Sequence, residues 1–315
     1  MSDHFLITDV NDSSSANTAG RSLWADARRK LYTNRLAMIS LVIIVIYVLV
    51  AILVGTGLLA SNWDESVGSA YEKPSWQNPL GTDIFGLSVW RKVLYGTKVS
   101  LTVAMLASLI SIAIGLPLGA IAGFFGKWLD EIIVWLYSTL QSVPYILLIM
   151  AFAFVLRDKV LFKGTSYEVS LAGMTAVYLA IGLTSWVGLC RLIRGEVMKH
   201  KEREYVTAAR SFGCGNFYII FRHVLPNVFH LVIIDFSLRF VSFIHAEVIL
   251  SYLGLGAKNQ PSWGVMIDDA RLELARGVWW QMAAATVAIF FISLALNIFG
   301  DALRDAIDPR LRKAV

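Results

Sequence analysis

The sequence predicts an all-α polytopic membrane protein with six transmembrane helices and both termini on the cytosolic side. Three observations carry that expectation. Of 315 residues, 57% are hydrophobic and only 16% are charged, where a soluble domain carries about a quarter charged residues. Five uncharged runs, 36–59, 99–126, 132–156, 169–190 and 277–300, are long enough for a crossing helix, which needs about 20 apolar residues. A sixth, 228–250, is long enough but holds Asp235, Arg239, His245 and Glu247. With the N-terminus inside, the inner segments carry 17 Lys and Arg and the outer segments 10, the asymmetry that sets membrane orientation.

This divides the chain into a cytosolic tail and interface helix (1–35), a transmembrane region (36–303) and a C-terminal cytosolic tail (304–315). Residues 1–20 are polar and lack the apolar content for a core. Leu23, Ala27 and Leu31 then form one helical stripe beside Arg28, Arg29 and Lys30, the pattern of a helix lying on the inner membrane surface or of a basic topology anchor. The run 36–59 is too long for a signal-peptide core, and no small-residue cleavage site follows it. Net charge +5 does not point to nucleic acid, because the basic residues cluster at the ends of apolar runs. The bilayer itself is the surrounding partner. Cys190 and Cys214 have no metal-ligand spacing, and both fall on the reducing, cytosolic side, so neither a disulfide nor a metal site is expected.

Inside the second span Gly115, Gly119 and Gly123 recur every fourth residue and share one face, which lets helix backbones approach closely. Pro117 and Pro144 are expected to kink their helices. Gln141 and Ser142, beside Pro144, are candidates for lining a path, since polar groups beside a kink belong against a cavity. Asp235 and Arg239 are four apart on the fifth span, about 40° apart around its axis. They read either as a polar lining for translocation or as a self-neutralising pair that fixes helix rotation. His245 and Glu247 lie near the outer end of that span, where water is expected to reach them; Glu247 joins the path candidates.

The cytosolic segment 194–227 contains "EYVTAARSFGCGNFYIIFRHVLPN". Glu204 opens a first helix; Thr207, Ala208 and Ala209 offer a small surface for another protein to press against. Gly213 and Gly215 permit a sharp reversal. Asn216 suits the cap of a second helix, which Pro226 is expected to end. A DNA-reading helix-turn-helix has the same outline, but wedged between spans it could not straddle a duplex.

The segment resembles the coupling loop of ABC importer permeases, whose pattern is E-A-A, three residues, G, nine residues, I, one residue, L-P. Ala208, Ala209, Gly213, Leu225 and Pro226 fit it, while Thr207 stands for the glutamate and His223 for the isoleucine. "GRSLWADARRKLYTNR", "PLGTDIFGLSVWRKVLYGTKVSL", "EVILSYLGLG", "PSWGVMIDDAR" and "NIFGDALRDAIDPRLR" are similar, in order, to the second permease subunit of dipeptide and oligopeptide importers. One departure is Gly86–Ser88, "GLS", where that family often has G-R-D. The resemblance implies a type I ABC importer permease fold and a heterodimer with a homologous second permease. It also implies two cytosolic ATP-binding subunits, an extracytoplasmic solute-binding protein and residence in the bacterial inner membrane. ATP and magnesium belong to the partners. The outer segments 60–98 and 251–276, rich in Trp, Tyr, Pro and Gly, would face the binding protein, although aromatic residues there also suit the membrane interface.

The sequence contains no G-x-x-x-x-G-K-[ST], so ATP is not bound by that device. A catalytic role is not expected either: H-E-x-x-H and G-x-S-x-G do not occur, and the histidines are scattered. The rival readings are a permease for nickel chelates or another solute, and a secondary transporter using Asp235, Arg239 and Glu247; the latter class shows internal repeats that are not evident here.

Overall fold

A computed structural model of the chain describes residues 23–157, 159–161, 169–171, 173–257 and 259–307. The polar stretch 1–20, the side chains of Leu23 and Ala27, and the tail from 308 onward lie outside the described residues. The elements are α1 (Leu23–Thr33), α2 (Arg35–Gly55), α3 (Val89–Phe125), α4 (Lys127–Gln141), α5 (Tyr145–Leu156), β1 (Val160–Leu161), β2 (Val169–Ser170), α6 (Met174–Lys201), α7 (Glu204–Ser211), α8 (Asn216–Ile219), a π-helical turn (Ile220–Val224), α9 (Leu225–Tyr252), α10 (Trp263–Leu274) and α11 (Trp280–Ile307). Strands β1 and β2 form one small antiparallel pair, Val160 opposite Ser170.

The centre of the fold is the pair α3–α6. Their contacts step together along the chain, Gly182 against Ile110, Gly115 against Trp186 and Cys190, Gly123 against Arg194 and Val197, so the two helices run parallel. A Cβ at Gly115, Gly119 or Gly123 would lie 2.5–2.7 Å from a backbone carbonyl of α6. The glycine stripe therefore lets main chain meet main chain, the arrangement that holds helices together where lipid removes the hydrophobic drive. Around the outer half gather Val103, Ala107, Val177, Ile181, Ile244 and Trp263, and around the inner half Phe124, Ile193, Val206, Ile220 and Val228.

Two parallel helices joined in sequence require a return crossing between them. Among the described residues five helices are long and apolar enough to cross, and α4 with α5 makes a sixth if the bent pair is one span. The expected single kinked helix over 132–156 is corrected here: α4 and α5 are separate helices at 93°. Pro144 has no N–H to donate and excludes the helical conformation at the preceding residue, so α4 stops at Gln141 and α5 starts anew at Tyr145.

Other boundaries also differ from the hydropathy runs. Helix α3 begins at Val89, ten residues before the apolar run, with Ser88 as its N-cap; Arg91, Lys92 and Lys98 hide that outer turn from a hydropathy reading. Pro226 does not end the second coupling helix. The chain from Asn216 to Tyr252 is one continuous rod of 37 residues. The π turn explains this: the Leu225 amide donates to the Ile220 carbonyl, and the widened turn accommodates a proline that would clash with the carbonyl four residues back.

Outside the span region, the loop before α3 is organised by Asp83, whose Oδ1 accepts the amides of Phe85 and Leu87, each at 2.9 Å. Its Oδ2 takes a hydrogen bond from buried Lys92 Nζ at 2.8 Å, and the same ammonium donates to Gln281 Oε1 of α11 at 3.4 Å. Helix α10, missed from sequence, lies against α9 and α11 with Trp263, Met266, Ala270 and Glu273 turned inward. Glu273 is 3% exposed, and neither carboxylate oxygen has a hydrogen-bond partner among the described residues. Burial raises its pKa, partly opposed by Lys92.

Two expectations follow. Gly119→Leu would force α3 off α6 and is expected to cost roughly 1–3 kcal/mol or more, seen as loss of monodisperse protein after detergent extraction. A raised carboxyl pKa means that folding favours the protonated form. That contribution is full below the ordinary glutamate range and lost as pH rises through the raised value. Glu273→Gln is therefore expected to raise thermal stability at pH 8 and to leave it nearly unchanged at pH 4, in unfolding curves of the purified protein.

Candidate functional site

The inner end of the fold carries a docked protrusion built from α7, α8 and the π turn. Val206 and Ala209 of α7 and Ile219, Ile220 and Val224 pack on Phe124 of α3 and on Ile193 and Val197 of α6. His200 Nδ1 and the Tyr205 hydroxyl, 2.7 Å apart, join the end of α6 to α7, and the Arg210 guanidinium sits 5.4 Å over the Phe124 ring. Ala209 is buried, which corrects its placement on the contact surface; Glu204, Thr207 and Ala208 are exposed.

Gly213 closes α7. The Gly213 amide donates to the Arg210 carbonyl at 2.9 Å and the Cys214 amide to the Ala209 carbonyl at 3.1 Å, the crossed pair of a helix-ending motif that needs a left-handed residue. Gly213 supplies φ +77°. Helix α8 is capped by Gly215 and Asn216 is its first residue, which corrects the expected cap. Beyond the turn Phe212, Phe217, Tyr218 and Phe221 are 87%, 62%, 55% and 67% exposed. Leu225 is half-buried and Pro226 exposed at the foot of the rod. A folded element with so much exposed aromatic surface is suited to contact with another protein.

A cavity of about 840 Å³ opens at the α4–α5 break, lined by Gln141, Pro144 and Tyr145 from the break, Ser185 and Gly188 from α6, and Arg239 and Ser242 from α9. Arg239 Nε donates to Asp235 Oδ1 at 2.6 Å, and its Nη1 to the Ser185 carbonyl at 3.4 Å. Gly188 leaves room beside it: a Cβ there would meet the guanidinium, and the arginine tip would have to shift to admit it. Tyr145 Oη and Ser185 Oγ are 3.0 Å apart, and Arg191 donates to Gln141 Oε1 at 3.2 Å. The ion pair thus forms, and of its two members Arg239 lines the cavity while Asp235 does not. Ser142 is exposed but donates to the Thr139 carbonyl and is not among the lining residues.

Glu247 is elsewhere. It is fully buried at the outer end of α9, bonded to Ser100 and Ser251, so its expected place on a wet path is corrected: three packed helices shut water out. His245 is exposed on the opposite side of α9, 3.1 Å from Ser293 Oγ. Also missed from sequence are the Asp83–Lys92 pair and the Arg194–Asp130 pair joining α6 to α4; their members look like ordinary loop and topology charges, and only the fold brings them together. Among the described residues no group of three or more His, Cys, Asp or Glu could hold a metal ion.

Residues 115–313 match the family described as binding-protein-dependent transport system inner membrane component. The chain belongs to this family. The permease also matches, over residues 22–72, the N-terminal TM domain of oligopeptide transport permease C. It is 34% identical to the dipeptide transport system permease protein DppC of Bacillus subtilis, over 91% of this chain and 86% of that one. It is 30% identical to the oligopeptide transport system permease protein OppC of the same organism, over 97% and 95%. Against the glutathione transport system permease protein GsiD of Pectobacterium atrosepticum the identity is 34%, over 76% and 75%. Among solved structures, a chain of the MetNI methionine ABC transporter in inward-facing conformations has a TM-score of 0.48 and 16% identity, covering 69% of the permease and 96% of that chain.

Arg239→Ala would strand the Asp235 carboxylate, 11% exposed, without its cation. Loss of one partner of a fully buried pair costs about 3–5 kcal/mol; with Arg239 one-third exposed, screening lowers this to about 1–3 kcal/mol. The expected result is a reduced yield of folded permease, largely restored in the double variant Asp235→Asn/Arg239→Gln, as read by size-exclusion chromatography.

Proposed function

We propose that the permease carries short peptides inward across the bacterial inner membrane as one half of a two-permease path. Separate cytosolic subunits hydrolyse ATP with its magnesium, and an extracytoplasmic solute-binding protein delivers the substrate. The observation that carries this reading is the protrusion: a packed, glycine-closed helix pair, exposed at its tip, whose second helix is continuous with a membrane-spanning rod. Such an element is rigid enough to receive a push from a neighbouring protein and pass it into the spans. The peptide substrate is supported by relatives whose names specify dipeptide and oligopeptide transport.

The coupling face in this reading comprises Glu204, Thr207 and Ala208, with Gly213 as the fixed reversal and Leu225 and Pro226 at the root of the rod. It faces the cytosol, the side assigned by the basic residues. Gln141 and Arg239 line the permeable cavity, Asp235 holds the guanidinium in place, and Ser142 sits at the break. Main-chain groups freed at the α4–α5 junction add polarity at the same depth.

The reading is tested in vesicles holding both permeases, the ATPases and the binding protein. Uptake of a peptide is expected to need ATP on the cytosolic face and to persist with an ionophore; uptake without ATP that the ionophore abolishes refutes it. A bulky residue in the left-handed conformation costs about 1–2 kcal/mol. Gly213→Leu is therefore expected to cut uptake about tenfold while ATP hydrolysis and membrane insertion continue, and normal uptake by that variant counts against the coupling role.

A further inference from the structure

The outer end of the rod holds a buried carboxylate that takes no part in the cavity. Glu247 is 0% exposed. Its Oε2 accepts from Ser100 Oγ of α3 at 2.8 Å and its Oε1 from Ser251 Oγ of α9 at 2.7 Å; the hydroxyl of Ser262, the N-cap of α10, faces the same carboxylate. Three serines from three elements thus converge on one side chain. The Trp263 amide donates to Ser100 Oγ at 3.4 Å, and the Trp263 indole to the Val93 carbonyl of α3 at 3.3 Å. Backbone contact closes the junction: a Cβ at Gly264 of α10 would lie 2.8 Å from Val248 Cα of α9, and one at Gly96 of α3 would lie 3.0 Å from the Trp263 ring.

A buried carboxylate carries a desolvation cost that an apolar side chain of the same volume avoids. What it supplies is directional connection, with the position of each donor fixed relative to the others. The connection sits on an unbroken rod whose other end is the coupling protrusion, about 45 Å of helix away.

We infer that Glu247 is a positioning residue that transmits movement of the coupling rod to the extracytoplasmic helix α10. This rests on the proposed coupling role of the protrusion, and it assigns the far end of the same lever. Tilting of α9 from the cytosol drags the α10 N-terminus through the carboxylate. Conversely, a protein pressing on α10 from outside shifts the rod and, through it, the ATPases.

The experiment uses the assembled complex in nanodiscs, measuring ATP hydrolysis with and without peptide-loaded binding protein. Hydrolysis and its stimulation in the wild-type complex test the coupling reading itself; a wild-type complex without either sinks that reading, and this inference with it. Where the wild type is stimulated, Glu247→Ala is expected to keep basal hydrolysis within about twofold and to lose about tenfold in stimulation, within the 5–150-fold span of ordinary site–site coupling. Glu247→Gln, which still accepts from the serines, is expected to recover most of it. Should Glu247→Ala fail to assemble, Ser100→Ala decides: it removes the α3 hydroxyl alone and is expected to lower stimulation about threefold with unchanged basal activity. Wild-type stimulation in Ser100→Ala, or in an assembled Glu247→Ala complex, overturns the inference, as does equal loss of basal and stimulated hydrolysis, which is the mark of a purely structural role.

Discussion

Main-chain contact between α3 and α6 is the constraint on which the rest depends. Three glycines four residues apart bring the backbones together, and because the helices run parallel, everything else is forced into place. The chain between them has to cross back; α9 has to pass along the seam in the opposite direction; the protrusion has to form at the inner end, where α3 stops at Phe125 and α6 runs on to Lys201. In hydrocarbon this packing replaces the apolar drive of a soluble core.

Charged and polar groups are then placed where that frame leaves them necessary. At the inner level Arg194 and Asp130 tie α6 to α4. At mid-depth Arg239 is held between Asp235 and the Ser185 carbonyl at the edge of the cavity. At the outer level Lys92 joins loop, α3 and α11, while Glu247 joins α3, α9 and α10. Each connection links elements distant in sequence, so each marks a place where relative movement is either forbidden or shared.

That division explains what could be read from the sequence. Long apolar runs, the glycine stripe and the loop with Gly213 are local patterns, and each has one physical meaning wherever it occurs. Helix ends were harder. Arg91 and Lys92 masked the start of α3, because hydropathy counts a buried, paired lysine as a solvated one. Pro226 looked like a terminator, since a widened π turn leaves no trace in residue type. Glu247 looked wet from its position near a span end, and only the convergence of Ser100, Ser251 and Ser262 reveals otherwise. Helix α10 was legible in principle: Trp263, Met266, Ala270 and Glu273 keep helical spacing after the Ser262 cap.

The break between α4 and α5 has a further consequence. It falls at the middle of the third apolar run, and a helix end leaves carbonyls, a helix start amides, without partners of their own. Oil cannot satisfy them. The break is accordingly set beside the cavity lined by Gln141, Ser185 and Arg239, so that polar groups of α6 and α9 rather than hydrocarbon face it, and Ser142 turns back to serve the Thr139 carbonyl at the end of α4.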